Sequence, residues 1–236
     1  MNLRAAGLAT LVALALAGCS APGNNRPNAT PEQIAAVAYR HDGPPAITLF
    51  TMISNSTNEG AHSSIMINAP SQRIIYDPAG SVRADYITEA DDVIYGVTPT
   101  FESFYERAHA RETYRVRIQR VEVPAAVAEQ ALRLAMTSGS ARQSMCAKST
   151  SSILAQLPGF DSVSPTWFPK KLAAQMSQLP GVTDRILRET DDDDKSLALA
   201  LHRQHLARTA SATGTETGPE TGQGAGEGTQ RAVVSQ

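Results

Sequence analysis

The chain reads as an α+β protein, and two observations carry that reading. Short apolar or alternating runs suited to strands, at 46–53, 63–68, 72–77, 92–97 and 114–123, lie among runs with helical spacing at 100–110, 125–136 and from 144 to 157. They come in mixed order rather than strict strand–helix alternation, and two of the strands are joined by a tight turn, which favours an antiparallel sheet packed against helices.

Taken in order, the chain opens on an address. Arg4 precedes an apolar run at 5–17, too short to stay in a bilayer as a permanent helix and of the form of a secretory signal. Leu16-Ala17-Gly18-Cys19 is similar to a bacterial lipobox, which assigns residues 1–18 to a lipoprotein signal peptide and makes Cys19 the lipidated N-terminus. An ordinary signal peptide with an incidental cysteine is the plainer alternative; small residues directly before the cysteine favour the lipobox. Lipid on Cys19 would tie the protein to a membrane, since several acyl chains hold far more firmly than one. Ser20, where inner-membrane retention in enteric lipoproteins uses Asp, points to the outer membrane of a bacterial cell envelope.

Removing 18 of 236 residues leaves 218, enough for one ordinary domain with flanking segments. Residues 19–33, rich in Pro, Asn and small polar side chains, read as a tether, and 34–181 as the folded body. Residues 182–236 read as a mostly disordered tail: the stretch 183–209, with the acidic run Asp191 to Asp194 and then Leu197, Leu199 and Leu201, can make a marginal helix, and the Thr/Gly/Glu mixture at 209–230 has too little apolar area to order itself. From residue 184 onward there are 6 Lys/Arg against 9 Asp/Glu, and 15 against 14 before it, so the net charge of −2 leaves no basic patch for nucleic acid. His41 and His109 lack partners at ligand spacing, and His202 and His205, three apart on a possible helix, lie in a tail that frays, so no metal or other cofactor is expected.

Within the body, Thr30-Pro31-Glu32 starts a short helix that Gly43-Pro44-Pro45 ends, and 46–53 is the first strand. The strands 63–68 and 72–77 form a hairpin about Ala69-Pro70-Ser71. A register in which Asn68 faces Ser71 puts His62 opposite Asp77, on one face and in contact; a slip by one residue would separate them. Pro99 opens a helix in which Phe101, Phe104, Tyr105 and Ala108 recur on one side, 114–123 alternates as a half-exposed strand, and Pro124 starts the next helix, closed by Gly139. Ser144 caps a fourth helix with Cys146 in its first turn, and a last one covers 170–178. Trp167 and Phe168 read as core.

Cysteine usage narrows the chemistry. With Cys19 lipidated, Cys146 has no intramolecular partner in an exported, oxidising setting. It can be a small buried hydrophobe, or a nucleophile whose thiol is acidified by a helix N-terminus and an imidazole. In the second reading His62 is the base and Asp77 holds its tautomer.

Gly60-Ala61-His62-Ser63-Ser64-Ile65-Met66-Ile67 resembles the histidine strand, and Ser144-Met145-Cys146-Ala147-Lys148-Ser149-Thr150 with the Ser-Ser-Ile-Leu that follows resembles the cysteine helix, of the circularly permuted papain-like fold shared by permuted NlpC/P60 hydrolases and lecithin retinol acyltransferase relatives. The resemblance covers about 46–157. It implies a papain-like α+β fold, a cysteine hydrolase or acyltransferase cutting an amide or ester bond through Cys146 and His62, and cell-wall peptide or an acyl lipid as substrate; where relatives often carry a second histidine or an amide as the third polar group, this chain offers Asp77. The competing expectation is a structural or binding lipoprotein of the cell envelope that keeps the fold without the reaction.

Overall fold

The computed structural model describes residues 27–80 and 82–214. The expected signal peptide, Cys19 and the end of the tail therefore lie outside the described residues. Two compact units divide between Asp193 and Asp194.

The first unit is built on a seven-stranded sheet, every ladder antiparallel, flanked by helices. In chain order it holds α1 (Pro31–Val37), β1 (Ala46–Ser54), β2 (Gly60–Asn68), β3 (Arg73–Tyr76), β4 (Glu89–Ala90), β5 (Val93–Ile94), α2 (Pro99–His109), β6 (Tyr114–Glu122), α3 (Ala125–Thr137), α4 (Cys146–Leu154), α5 (Pro169–Met176) and β7 (Thr183–Leu187). The strands lie in the order β4-β5-β3-β2-β1-β6-β7. Among the described residues the second unit holds the helix α6 (Lys195–Gly214); of the marginal helix expected over 183–209, only the part from Lys195 is helical, and Thr183–Leu187 form β7 instead.

Local chemistry explains most boundaries. Thr30 accepts from the Gln33 N–H while the Gln33 side chain accepts from the Thr30 N–H, a reciprocal cap that fixes α1. Thr98 caps α2 ahead of Pro99, whose missing N–H costs nothing at a first helical position. Gly139 adopts φ +67° just past α3, a conformation that suits a residue without Cβ.

The sheet buries both faces. On one, Ile47, Leu49, Ile65, Ile67, Ile74 and Tyr76 pack with Ala131, Leu132, Leu154, Leu172 and Met176 of α3, α4 and α5. Each fully buried aliphatic side chain there contributes about 1.5–3 kcal/mol relative to exposure. On the other face α2 crosses the strands, held by Phe50 against Tyr105 with ring centroids 5.4 Å apart, by the buried Arg73 paired with Glu102, and by Arg185 of β7 donating to Glu106 at 2.5 and 2.7 Å. That last pair shows the sheet reaching beyond the expected limit at 181. The reason is a register match: Thr183 to Leu187 add as an edge strand to β6, and Arg117 donates to Asp184 across the ladder.

Two expectations about the hairpin and the cysteine helix are corrected. Asn68 pairs with Arg73, not Ser71, because Ala69 donates to the Gln72 carbonyl at 3.1 Å and closes a four-residue turn that accommodates Pro70. The change moves the register by two residues in the pairing, which preserves the face: Asp77 falls across from Ser64, and His62 becomes its diagonal neighbour. Ser144 does not cap α4. It sits at φ +66° in the turn closed by Met145 N–H donating to the Arg142 carbonyl, and Met145 takes the cap position without a side-chain bond.

Candidate active site

The site lies where β2 outruns β3. The β2–β3 ladder covers Ile65–Asn68 and stops at Tyr76, so the stretch of β2 before Ile65 has β1 on one side and an opening on the other. β1 and β2 also change register between Met52 and Ile53, which makes Ala61 an extra residue directly before His62. Such a bulge bends the strand and re-aims the neighbouring side chain. Gly60 is pinned on the far side of the bulge, since a Cβ there would meet Pro169 Cβ at 2.8 Å and the Lys170 nitrogen at 2.9 Å.

His62, Asp77 and Cys146 come together there. His62 Nε2 lies 2.6 Å from Asp77 Oδ1 and donates to it, with the histidine side chain 17% exposed and the aspartate 4%. Asp77 is fixed from its backbone as well: its N–H donates to the Asp92 carbonyl at 2.8 Å, and the Gly80 N–H donates to its own carbonyl at 2.9 Å. With Nε2 engaged, Nδ1 is the imidazole nitrogen left for the Cys146 thiol, which interacts with the same ring. Cys146 is free of any disulfide and 7% exposed.

The electrostatics of the three are mutual. Burial pushes the Cys146 thiol up, but the hydrogen bond and charge of His62, with the backbone N–H groups of Ser63 and Ala147, outweigh it and hold the thiol below its ordinary value. Both N–H groups are available for identifiable reasons. Ser63 lies in the part of β2 that β3 no longer covers, and Ala147 is in the first turn of a helix that no side chain caps. Burial disfavours the His62 cation, yet the Asp77 carboxylate and the thiol raise the imidazole to about 9. Burial would raise Asp77, but His62, His109 and Tyr105 bring it down to about 2. All three shifts run in the direction of a thiolate beside an imidazolium braced by a carboxylate.

Two side chains of α2, Tyr105 and His109, also pack on this site. His109 stacks on His62 with ring centroids 6.2 Å apart and planes 18° from parallel, and its Nδ1 donates to the Tyr105 carbonyl at 2.9 Å. Tyr105, fully buried, donates its hydroxyl to Ser64 Oγ at 2.7 Å and lies within reach of Asp77. Tyr105 and His109 stand four apart on one helix, so they share a face; that spacing was the available signal, and it marked Tyr105 as core while leaving His109 unassigned. Trp167 and Phe168, expected in the core, are 55% and 67% exposed instead. They precede α5, whose Pro169 lies close to Gly60.

No protein-family model, curated protein or solved structure matches the chain. Among the described residues no group of three or more His, Cys, Asp or Glu side chains is placed to hold a metal, and no helix is long and apolar enough to cross a membrane.

Proposed function

We propose that the protein is a cysteine hydrolase or acyltransferase with a permuted papain-like fold, acting on an amide or ester bond. The observation that carries this reading is that one imidazole serves both partners, His62 binding Asp77 at 2.6 Å through Nε2 while its other side meets the Cys146 thiol. In the reaction, the Cys146 thiolate attacks the carbonyl carbon, and the new C–S bond forms as the C–N or C–O bond breaks. The His62 imidazolium gives its proton to the leaving amine or alcohol. Water, or an acceptor nucleophile, then loses a proton to His62 as it attacks the thioester, which returns the thiol–imidazole pair and releases acid or transferred acyl product. Asp77 remains ionised throughout and holds the ring in orientation.

The cell-envelope location, the lipid on Cys19 and a cell-wall peptide or acyl-lipid substrate belong to the same proposal, supported by the sequence before residue 27 and by the family resemblance. The test is alkylation of the full chain with iodoacetamide at pH 6, where an ordinary thiol is almost wholly protonated. Cys146 should react at least tenfold faster than free cysteine, and His62→Ala should abolish the advantage. A Cys146 that reacts no faster than free cysteine, with His62→Ala without effect, overturns the reading.

A further inference from the structure

Beside the site, α4 and the turn that leads into it enclose a cleft of about 460 Å³, within the size range of small-molecule sites. Cys146, His62 and Asp77 do not line it; its link to the site is the start of α4, where Met145 and Lys148 on its wall flank Cys146 in the chain. Two cations reach it, Arg142 from the turn and Lys148 from the first turns of α4. Among the described residues neither side chain is in an ion pair. The remaining polar lining consists of donors that suit an oxyanion: the Ser149 and Ser152 hydroxyls, and Tyr76, whose hydroxyl lies within reach of Ser149. The wall is also held in place. The buried Asp92 accepts from the Ala141 N–H at 2.8 Å and from the Ala79 N–H at 3.1 Å, tying the turn before α4 to the segment that follows Asp77.

We infer that this cleft binds an oxyanion of the substrate, a carboxylate or a phosphate, through Arg142 and Lys148, so that the acyl compound cut at Cys146 is an anionic one. The inference rests on the thiol-acyl reading above and narrows its substrate class. Two unpaired cations facing one polar cleft recognise negative charge and repel positive charge, and their attraction is strongest at low salt.

The experiment uses the full chain and the variant carrying both Arg142→Gln and Lys148→Gln, changes at side chains outside the catalytic trio. Cys146 is alkylated with anionic iodoacetate and neutral iodoacetamide at low ionic strength. The ratio of the two rates should fall about fivefold in the double variant while the iodoacetamide rate stays put. In parallel, acetate and inorganic phosphate are titrated at constant ionic strength against Tm, a readout independent of the thiol. A rise in Tm with either anion, lost in the double variant, supports the cleft; acetate as the better ligand identifies a carboxylate substrate and phosphate a phosphorylated one. An unchanged rate ratio together with no variant-sensitive rise in Tm overturns the inference. A thiol unreactive to both reagents, with the Tm response intact, instead removes the catalytic reading and leaves an anion-binding cleft.

Discussion

Gly80 lies directly against the Asp77 carboxylate: its N–H donates to the Asp77 carbonyl at 2.9 Å, and a Cβ on Gly80 would overlap the carboxylate atoms. The chain thus folds back on the acid that braces His62, and only a residue without a side chain leaves that acid where it is. Gly80→Ala should push the carboxylate away from Nε2 while leaving His62 and Cys146 unchanged in sequence. We expect the iodoacetamide rate at pH 6 to drop by about tenfold or more, since a misplacement of about 1 Å can cost about a hundredfold. A rate equal to that of the native chain would show that the carboxylate can shift without loss.

Asp77→Asn tests the same brace by charge rather than by shape. An amide of the same size keeps the packing but removes the negative charge that holds the imidazole at about 9. The ring should then titrate nearer to the ordinary histidine value, near 6.5. The thiolate loses its cationic neighbour accordingly, and turnover of an acyl substrate should fall by two or more powers of ten. The measurement is the pH profile of the rate: the alkaline limb, expected near 9 in the native chain, should move toward neutrality.

The same pair makes stability depend on pH with a definite sign. His62 has a folded value raised to about 9, so its contribution is complete below its unfolded value near 6.5 and is lost as pH rises through about 9. Asp77 is lowered to about 2, so its contribution is complete above its unfolded value near 4 and is lost as pH falls through about 2. From this pair alone, Tm should be flat between about pH 4 and 6.5 and decline on both sides. In His62→Gln the decline between pH 6.5 and 9 should shrink, which differential scanning calorimetry across that range would show.

How far the site could be read in the sequence depended on whether the information was local. The strand carrying His62 and the strand ending at Asp77 are short, apolar and adjacent, so the hairpin was legible and its side-chain parity survived an error in the turn. The exact register was not, because it is set by the Ala69–Gln72 bond within the turn, which the residue types alone do not specify. The helix start at Cys146 was legible to within two residues, but the positive φ of Ser144 overrode its capping preference. His109 was out of reach for a different reason: its stacking on His62 depends on α2 crossing the face of the sheet, a long-range packing choice enforced by Arg73–Glu102 and Arg185–Glu106. The edge strand β7 was missed because its residues are mostly exposed and carry no alternating pattern; it forms because β6 offers a free ladder.

Tyr105 joins the core to the site, and its substitution separates stability from chemistry. Its ring packs on Phe50 and against His109, which Tyr105→Phe would preserve; its hydroxyl donates to Ser64 at 2.7 Å and faces Asp77, which the variant removes. Ser64 is itself fully buried, so its hydroxyl would be left without that partner. The expected loss is about 1–3 kcal/mol of unfolding free energy by denaturant titration. Adding Ser64→Ala to Tyr105→Phe should cost less than the two single changes together, because the pair fails as a unit. Cys146 alkylation at pH 6 should slow by less than in Asp77→Asn, since the His62–Asp77 bond stays in place. A double variant whose losses simply add would show that the Tyr105–Ser64 bond contributes nothing beyond the two side chains' separate packing.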